Sequence, residues 1–157
     1  MRVAFTGHRP DKLGNYVPNS EPERCVRGSL TAYLTELQET QLTLSAIIGM
    51  ALGFDQWAAE ICIELSIPFT AAVPFVGQES RWSYFSKQHY QKLLKAASDV
   101  VVVCEGDYRP FKLQKRNEWM IDRCDELIAA WDGSNGGTAN CVRYARSIDR
   151  RIKYLEW

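Results

Sequence analysis

Short apolar runs recur along the chain at residues 3–6, 44–48, 68–73, 100–104 and 126–131, each separated from the next by a longer amphipathic stretch. No other feature limits the fold as strongly. A short apolar run bounded by turn residues predicts a strand, whereas apolar residues spaced by three and four predict a helix. Val26, Leu30, Tyr33, Leu34 and Leu37 have the helical spacing, behind a start at "SEPE" where Ser20 and Glu23 form a capping-box pattern. Phe54, Trp57, Ala58, Ile61, Cys62 and Leu65 make a second stripe. Phe85, His89, Leu93 and Ala97 place a third helix at 84–97, with His89 on its apolar face and expected in the core. A short helix at 115–123, a last full helix at 138–148 and an edge strand at 151–156 complete the series. Strand and helix in alternation predict a mainly parallel sheet with helices on both faces and right-handed crossovers. The run at 100–104 is apolar throughout, which predicts a strand buried on both faces.

The 157 residues form a single expected domain, with no linker long enough to divide them. Lys+Arg and Asp+Glu both number 19, so the formal net charge is zero. That balance argues against a nucleic-acid polyanion as the main partner and leaves room for a small phosphorylated ligand. The most apolar stretch, 46–54, is far short of the roughly 20 residues needed to span a bilayer. "MRVAFTGHRP" reads as a strand running into a turn, too short in its apolar part for a signal peptide, so a cytoplasmic protein is expected. Cys25, Cys62, Cys104, Cys124 and Cys141 are scattered and odd in number. They read as buried free thiols, with no disulfide framework, no metal site and no cofactor expected.

The unusual residues share one location. "TGHRP", "GMALGFD", "PFVGQESRW", "CEGDYRP" and "WDGSNGGT" each follow a predicted strand. In an open parallel sheet the carboxyl ends of the strands share one edge, and ligands bind there where the strand order reverses. Gly49 and Gly53 let backbone approach a ligand at a helix N-terminus, or make a tight strand-to-helix turn with Asp55 favouring the helix start. Gly136, Gly137 and Thr138 repeat the arrangement, with amides and a hydroxyl suited to a phosphate. Asp132 and Asn135 nearby are suited to a ribose hydroxyl or a base edge. Pro10 biases Arg9 toward an extended backbone, from which it can clamp a phosphate beside His8. Arg81–Trp82 and Arg116–Asn117 are weaker candidates for holding a base, and Arg81–Trp82 reads equally as a packed surface pair. The two histidines have no catalytic motif around them, no HExxH or Walker lysine occurs, and Cys141 falls on the inner stripe of its helix. Residues 11–19, "DKLGNYVPN", read as a loop able to act as a flap.

Together "FTGHRP", "GMALGFDQWAAE", "PFVGQESRW" and "RNEWMIDRCDELIAAWDGSNGGTANCVRYA" resemble the YpsA-like branch of the SLOG superfamily, in the same order over nearly the whole chain. That superfamily also holds LOG-type phosphoribohydrolases and DprA-like DNA-processing proteins. The resemblance implies a Rossmann-like three-layer sandwich that binds nucleotides or their derivatives at the strand ends. Some SLOG domains sense ADP-ribose-type signals in bacterial and phage conflict. Carried across, Gly7, His8, Arg9, Gly49, Gly53, Asp55, Gly136, Gly137 and Thr138 line the pocket. Two positions depart from the pattern. Met50 stands where the family often has a second glycine. Asn140 stands where the LOG-type enzymes place a glutamate, and an amide cannot exchange a proton as a carboxyl group does. The expectation is therefore a binding module that senses or sequesters a nucleotide or ADP-ribose-type ligand, for instance in phage counter-defence. The alternative is a phosphoribohydrolase using Asp55, Asp132 or Glu60 as a replacement acid. A third reading, a single-strand DNA-binding module, is opposed by the zero net charge and the lack of a basic stripe. Self-association is expected from related proteins.

Overall fold

The computed structural model describes residues 1–156. In chain order the elements are β1 (Arg2–Gly7), a 3-10 turn (Pro10–Lys12), α1 (Glu21–Thr40), β2 (Ser45–Ile48), α2 (Phe54–Glu64) and β3 (Phe69–Val73). They continue with α3 (Tyr84–Ala96), β4 (Asp99–Val102), α4 (Pro110–Asp122), β5 (Glu126–Ala130), α5 (Gly137–Ser147) and β6 (Arg151–Tyr154). The strands form one six-stranded sheet in the order β4-β3-β2-β1-β5-β6, and every pairing is parallel. This is a Rossmann-like α/β fold.

Strand order explains the layers. From β1 to β4 the chain steps outward in one direction, so right-handed crossovers put α1, α2 and α3 on one face. Val26, Leu30, Leu34, Phe54, Ala58, Ile61, Tyr90 and Leu93 from those helices pack on Val3, Phe5 and Ile48 there. The step from β4 back past β1 to β5 reverses direction, which carries α4 and α5 to the other face. Met120, Ile121, Cys141 and Ala145 pack there on Ala4, Ile47, Ala72 and Leu127. The capping box forms with one change. Ser20 Oγ accepts from the Glu23 amide at 3.4 Å, but Glu23 returns its carboxylate to the Asn19 amide at 3.0 Å.

Several expectations change. The apolar run at 100–104 is not buried on both faces. β4 is an edge strand, and Val100 and Val102 stay 44% and 46% exposed. An apolar run reports hydrophobicity, whereas burial depends on how many neighbours the sheet order supplies. α3 turns Tyr90 and Leu93 inward rather than Phe85, which is exposed. His89 is therefore no core residue; it is partly exposed, with Nε2 2.7 Å from Glu60 Oε1. α4 begins at Pro110 rather than 115, because a proline fits the first helical turn. Among the thiols, Cys62, Cys124 and Cys141 are buried, but Cys25 is exposed and Cys104 half-buried. The 11–19 segment is anchored at its base. Leu13 is buried, and the Leu13 and Asn15 amides both donate to Pro10 O. No helix among the described residues is long and apolar enough to cross a membrane.

Candidate functional site

The strand order reverses between β1 and β5, and their register, Val3↔Glu126 through Gly7↔Ala130, brings their carboxyl ends level. The loops that follow diverge to opposite faces and leave a crevice between them. A cleft of about 350 Å³ occupies it. Thr6 to Arg9 form one wall and Asn135 to Thr138 the other. Asp55, Leu113, Arg116 and Asn117 line its floor and side, and Asp11 and Lys12 its rim.

The wall after β5 is built by local chemistry. The Ser134 amide donates to Asp132 Oδ1 at 2.9 Å, an aspartate-initiated turn. Trp131 Nε1 donates to Ser134 O at 2.7 Å and pins the loop. Gly136, at φ +146, ψ −164, sits where essentially only glycine goes. It is the N-cap of α5 and brings no side chain to cap the helix. The Asn140 amide takes Gly136 O, so the amides of Gly137, Thr138 and Ala139 lack intrahelical acceptors and form the positive end of the helix. A methyl group built on Gly136 or Gly137 meets no atom within 4 Å.

The other glycines have a different explanation. A methyl on Gly7 would lie 2.4 Å from the Phe54 ring. On Gly49 it would lie 2.3 Å from Arg116 Nη1 and 2.8 Å from Asp55 Oδ2. On Gly53, at φ +91, it would lie 2.8 Å from His8 O. Packing within the protein accounts for all three, while Gly136 and Gly137 open onto free space. Met50 adopts φ +61, the left-handed conformation for which glycine is the usual choice, with its side chain buried.

Two side-chain pairs organise the site. Asp55 and Arg116 are only 7% and 4% exposed and flank Gly49. Arg116 donates through Nη1 to Gly49 O and, at 3.3 Å, to Ala72 O; its Nε donates to Asn117 Oδ1 at 3.0 Å. Burial pushes the Asp55 carboxyl up, while the guanidinium of Arg116 and the Ala51 amide pull it down. Burial lowers Arg116, with Asp55 opposing. At the rim, His8 Nε2 lies 2.7 Å from Asp132 Oδ1, joining the two walls. Hydrogen bonds from Ser134, followed by the contact with His8, hold the Asp132 carboxyl well below the usual carboxylate range. Asp132 is thus an ionised acceptor rather than a proton donor.

Of the residues expected at a site, Gly7, His8, Arg9, Asp55, Arg116, Asn117, Asn135, Gly136, Gly137 and Thr138 line this cleft. Arg81 and Trp82 line an adjoining cavity that also includes Arg9. Gly49 and Gly53 are buried behind the lining, whereas Asp132 is exposed at the rim beside His8; none of the three lines the cleft itself. Asn140 is exposed, accepts from Arg143 and does not line the cleft. Glu60 faces His89 and Arg27 outside it. Cys141 is buried at the Arg116 side, and burial pushes its thiol up to about 12, which removes it as a nucleophile near neutral pH. Lys12 was not foreseen. Its Nζ donates to Ser134 Oγ at 2.6 Å, across the rim. No cluster of three or more metal-ligating side chains occurs among the described residues.

Comparison with known proteins agrees with this architecture. The YpsA family model, described as the YspA SLOG family, matches residues 3–154. The SPbeta prophage-derived protein YoqJ of Bacillus subtilis (strain 168) is 35% identical over 138 residues, covering 77% of this chain and 80% of its own. The solved DNA processing protein A of Streptococcus pneumoniae superposes with a TM-score of 0.67 at 17% identity. The match covers 98% of this chain but only 49% of that one. The Helicobacter pylori protein of the same name, solved for its single-stranded DNA binding mode, gives 0.67 at 19% identity, covering 100% of this chain and 66% of its own.

Proposed function

We infer the function from one premise: the chain belongs to the YspA SLOG family. Family and fold support a nucleotide- or DNA-related binding role. Within it, the cleft between β1 and β5 binds a nucleotide or ADP-ribose-type ligand, with a phosphate on the N-terminus of α5. One observation carries this reading. Gly136 and Gly137 leave open space in front of uncapped helix amides, and Arg9 and Lys12 line the same cleft. Amides, a helix dipole and cations converging on one hollow suit an anion. The protein retains its ligand intact, to sense it or sequester it in the cytoplasm in bacterial or phage conflict, as an assembly of two or more chains.

The test is incubation of purified protein with AMP, ADP-ribose, NAD, cyclic ADP-ribose isomers and cyclic oligonucleotides. Mass spectrometry then reads the bound and free fractions. Intact ligand released by heat denaturation supports the reading, and no retention at micromolar ligand refutes it. A second reading, an N-glycosidase, is favoured by Asp55. It lines the cleft and burial raises its carboxyl pKa, a combination common among catalytic acids. Free base with a matching phosphosugar, lost on Asp55→Asn, would select it. Single-stranded DNA binding of the kind named for the H. pylori neighbour predicts a salt-dependent gel shift instead.

A further inference from the structure

We propose that the cavity beside the cleft is a nucleobase seat, which makes the ligand a nucleoside 5′-phosphate spanning both hollows. The proposal rests on the phosphate seat described above. The second cavity, about 300 Å³, lies between the β3–α3 loop and the β4–α4 loop. Arg9 and Leu113 line both hollows, so the two adjoin. Each alone is near the lower limit for a small-molecule site of ~300 Å³, and together they fall well inside the range.

Their linings differ in kind. Glycine, hydroxyl, amide and charged groups dominate the cleft, whereas Phe75, Trp82 and Tyr108 supply aromatic rings to the second cavity. Phe75 is 6% exposed, but Tyr108 is 50% exposed and offers ring surface to an occupant. The rings are held in place. Phe75 and Tyr108 meet edge to face at 5.6 Å, and Trp82 meets Tyr90 likewise at 5.3 Å. Lys112 Nζ donates to Glu105 O and Asp107 O, which fixes the loop that carries Tyr108. Gln78 adds an amide at the wall, its Oε1 accepting from Tyr90 at 3.4 Å and its Nε2 donating to Gly49 O at 3.4 Å. A rigid aromatic wall with an amide beside it suits a planar, hydrogen-bonding ring. Arg9, shared by the two hollows, is placed to contact the phosphate side and the base side of one molecule.

Calorimetric titration of wild type, Tyr108→Ala and Tyr108→Phe with AMP, adenosine and ribose 5-phosphate tests this. Stacking on one aromatic ring predicts that Tyr108→Ala weakens AMP by about 5- to 150-fold. Tyr108→Phe should restore AMP binding, and ribose 5-phosphate should respond to neither change. Because Tyr108 is half exposed, its loss leaves the fold intact, which an unchanged melting temperature confirms. Equal affinity of wild type for AMP and ribose 5-phosphate would overturn the base seat and leave the phosphate seat standing. An unchanged AMP affinity in Tyr108→Ala would do the same. Adenosine binding as tightly as AMP would support the base seat and overturn the phosphate seat. No binding of any of the three would overturn both.

Discussion

Arg116→Met tests whether the buried charge pair holds the cleft together. Arg116 sits 4% exposed, with Nη1 on Gly49 O and Ala72 O and its charge facing Asp55 across Gly49. Methionine fills much of the volume but offers no donor and no charge. Gly49 O keeps a long bond from Gln78 Nε2, whereas Ala72 O loses its side-chain donor; a stranded carbonyl costs about 1–3 kcal/mol, toward the lower end here because the adjoining cleft admits water. Asp55 loses the group that most stabilises its ionised form, and breaking a buried pair costs about 3–5 kcal/mol. The two costs overlap, and we expect a total near 3–5 kcal/mol at pH 7. For a chain of this size that lowers the melting temperature by roughly 6–20 °C.

The pH dependence has a definite sign. An acid whose folded pKa stands above its unfolded value binds its proton more tightly in the native state. Its contribution is therefore most favourable below the unfolded value and is lost as pH rises through the folded one. Burial places Asp55 in this class, and removing Arg116 raises its folded pKa further. The penalty of Arg116→Met should therefore be smaller at pH 5 than at pH 7. Asp55→Asn added to Arg116→Met should remove that pH dependence. Urea unfolding at both pH values reads these quantities. A loss below about 1 kcal/mol at pH 7, unchanged at pH 5, would refute the reasoning.

Other substitutions separate binding from folding. Gly137→Ala meets no atom and lies in a helix, so stability should hold or rise by up to about 1 kcal/mol while AMP binding weakens, as calorimetry and melting together report. Gly7→Ala drives a methyl into the Phe54 ring and should cost about 1–3 kcal/mol of stability in a urea titration. Ser20→Ala removes the side-chain cap of α1 and should cost about 1 kcal/mol with ligand affinity unchanged.

The alternation of apolar runs and amphipathic stretches was enough to determine a parallel sheet covered on both faces. Composition and the positions of glycine, proline and arginine were enough to mark the carboxyl ends of the strands as the interesting edge. These are local properties, written in spacing and backbone freedom. The order of the strands is not local. The apolar run around Val100 fits a central strand as well as an edge, and only pairing with β3 alone leaves Val100 and Val102 exposed. Nor does spacing say which helix residue turns inward, so His89 reads as core from its stripe yet faces Glu60 near the surface. The glycines look alike in the sequence. The folded chain separates Gly7, Gly49 and Gly53, crowded by neighbours, from Gly136 and Gly137, which face open space. Lys12 reaches Ser134 across 122 positions of the chain, and Tyr108 meets Phe75 from a different loop. The first exists because the strand order reverses between β1 and β5, the second because β3 and β4 pair as neighbours, and both are consequences of long-range packing that no window of sequence contains.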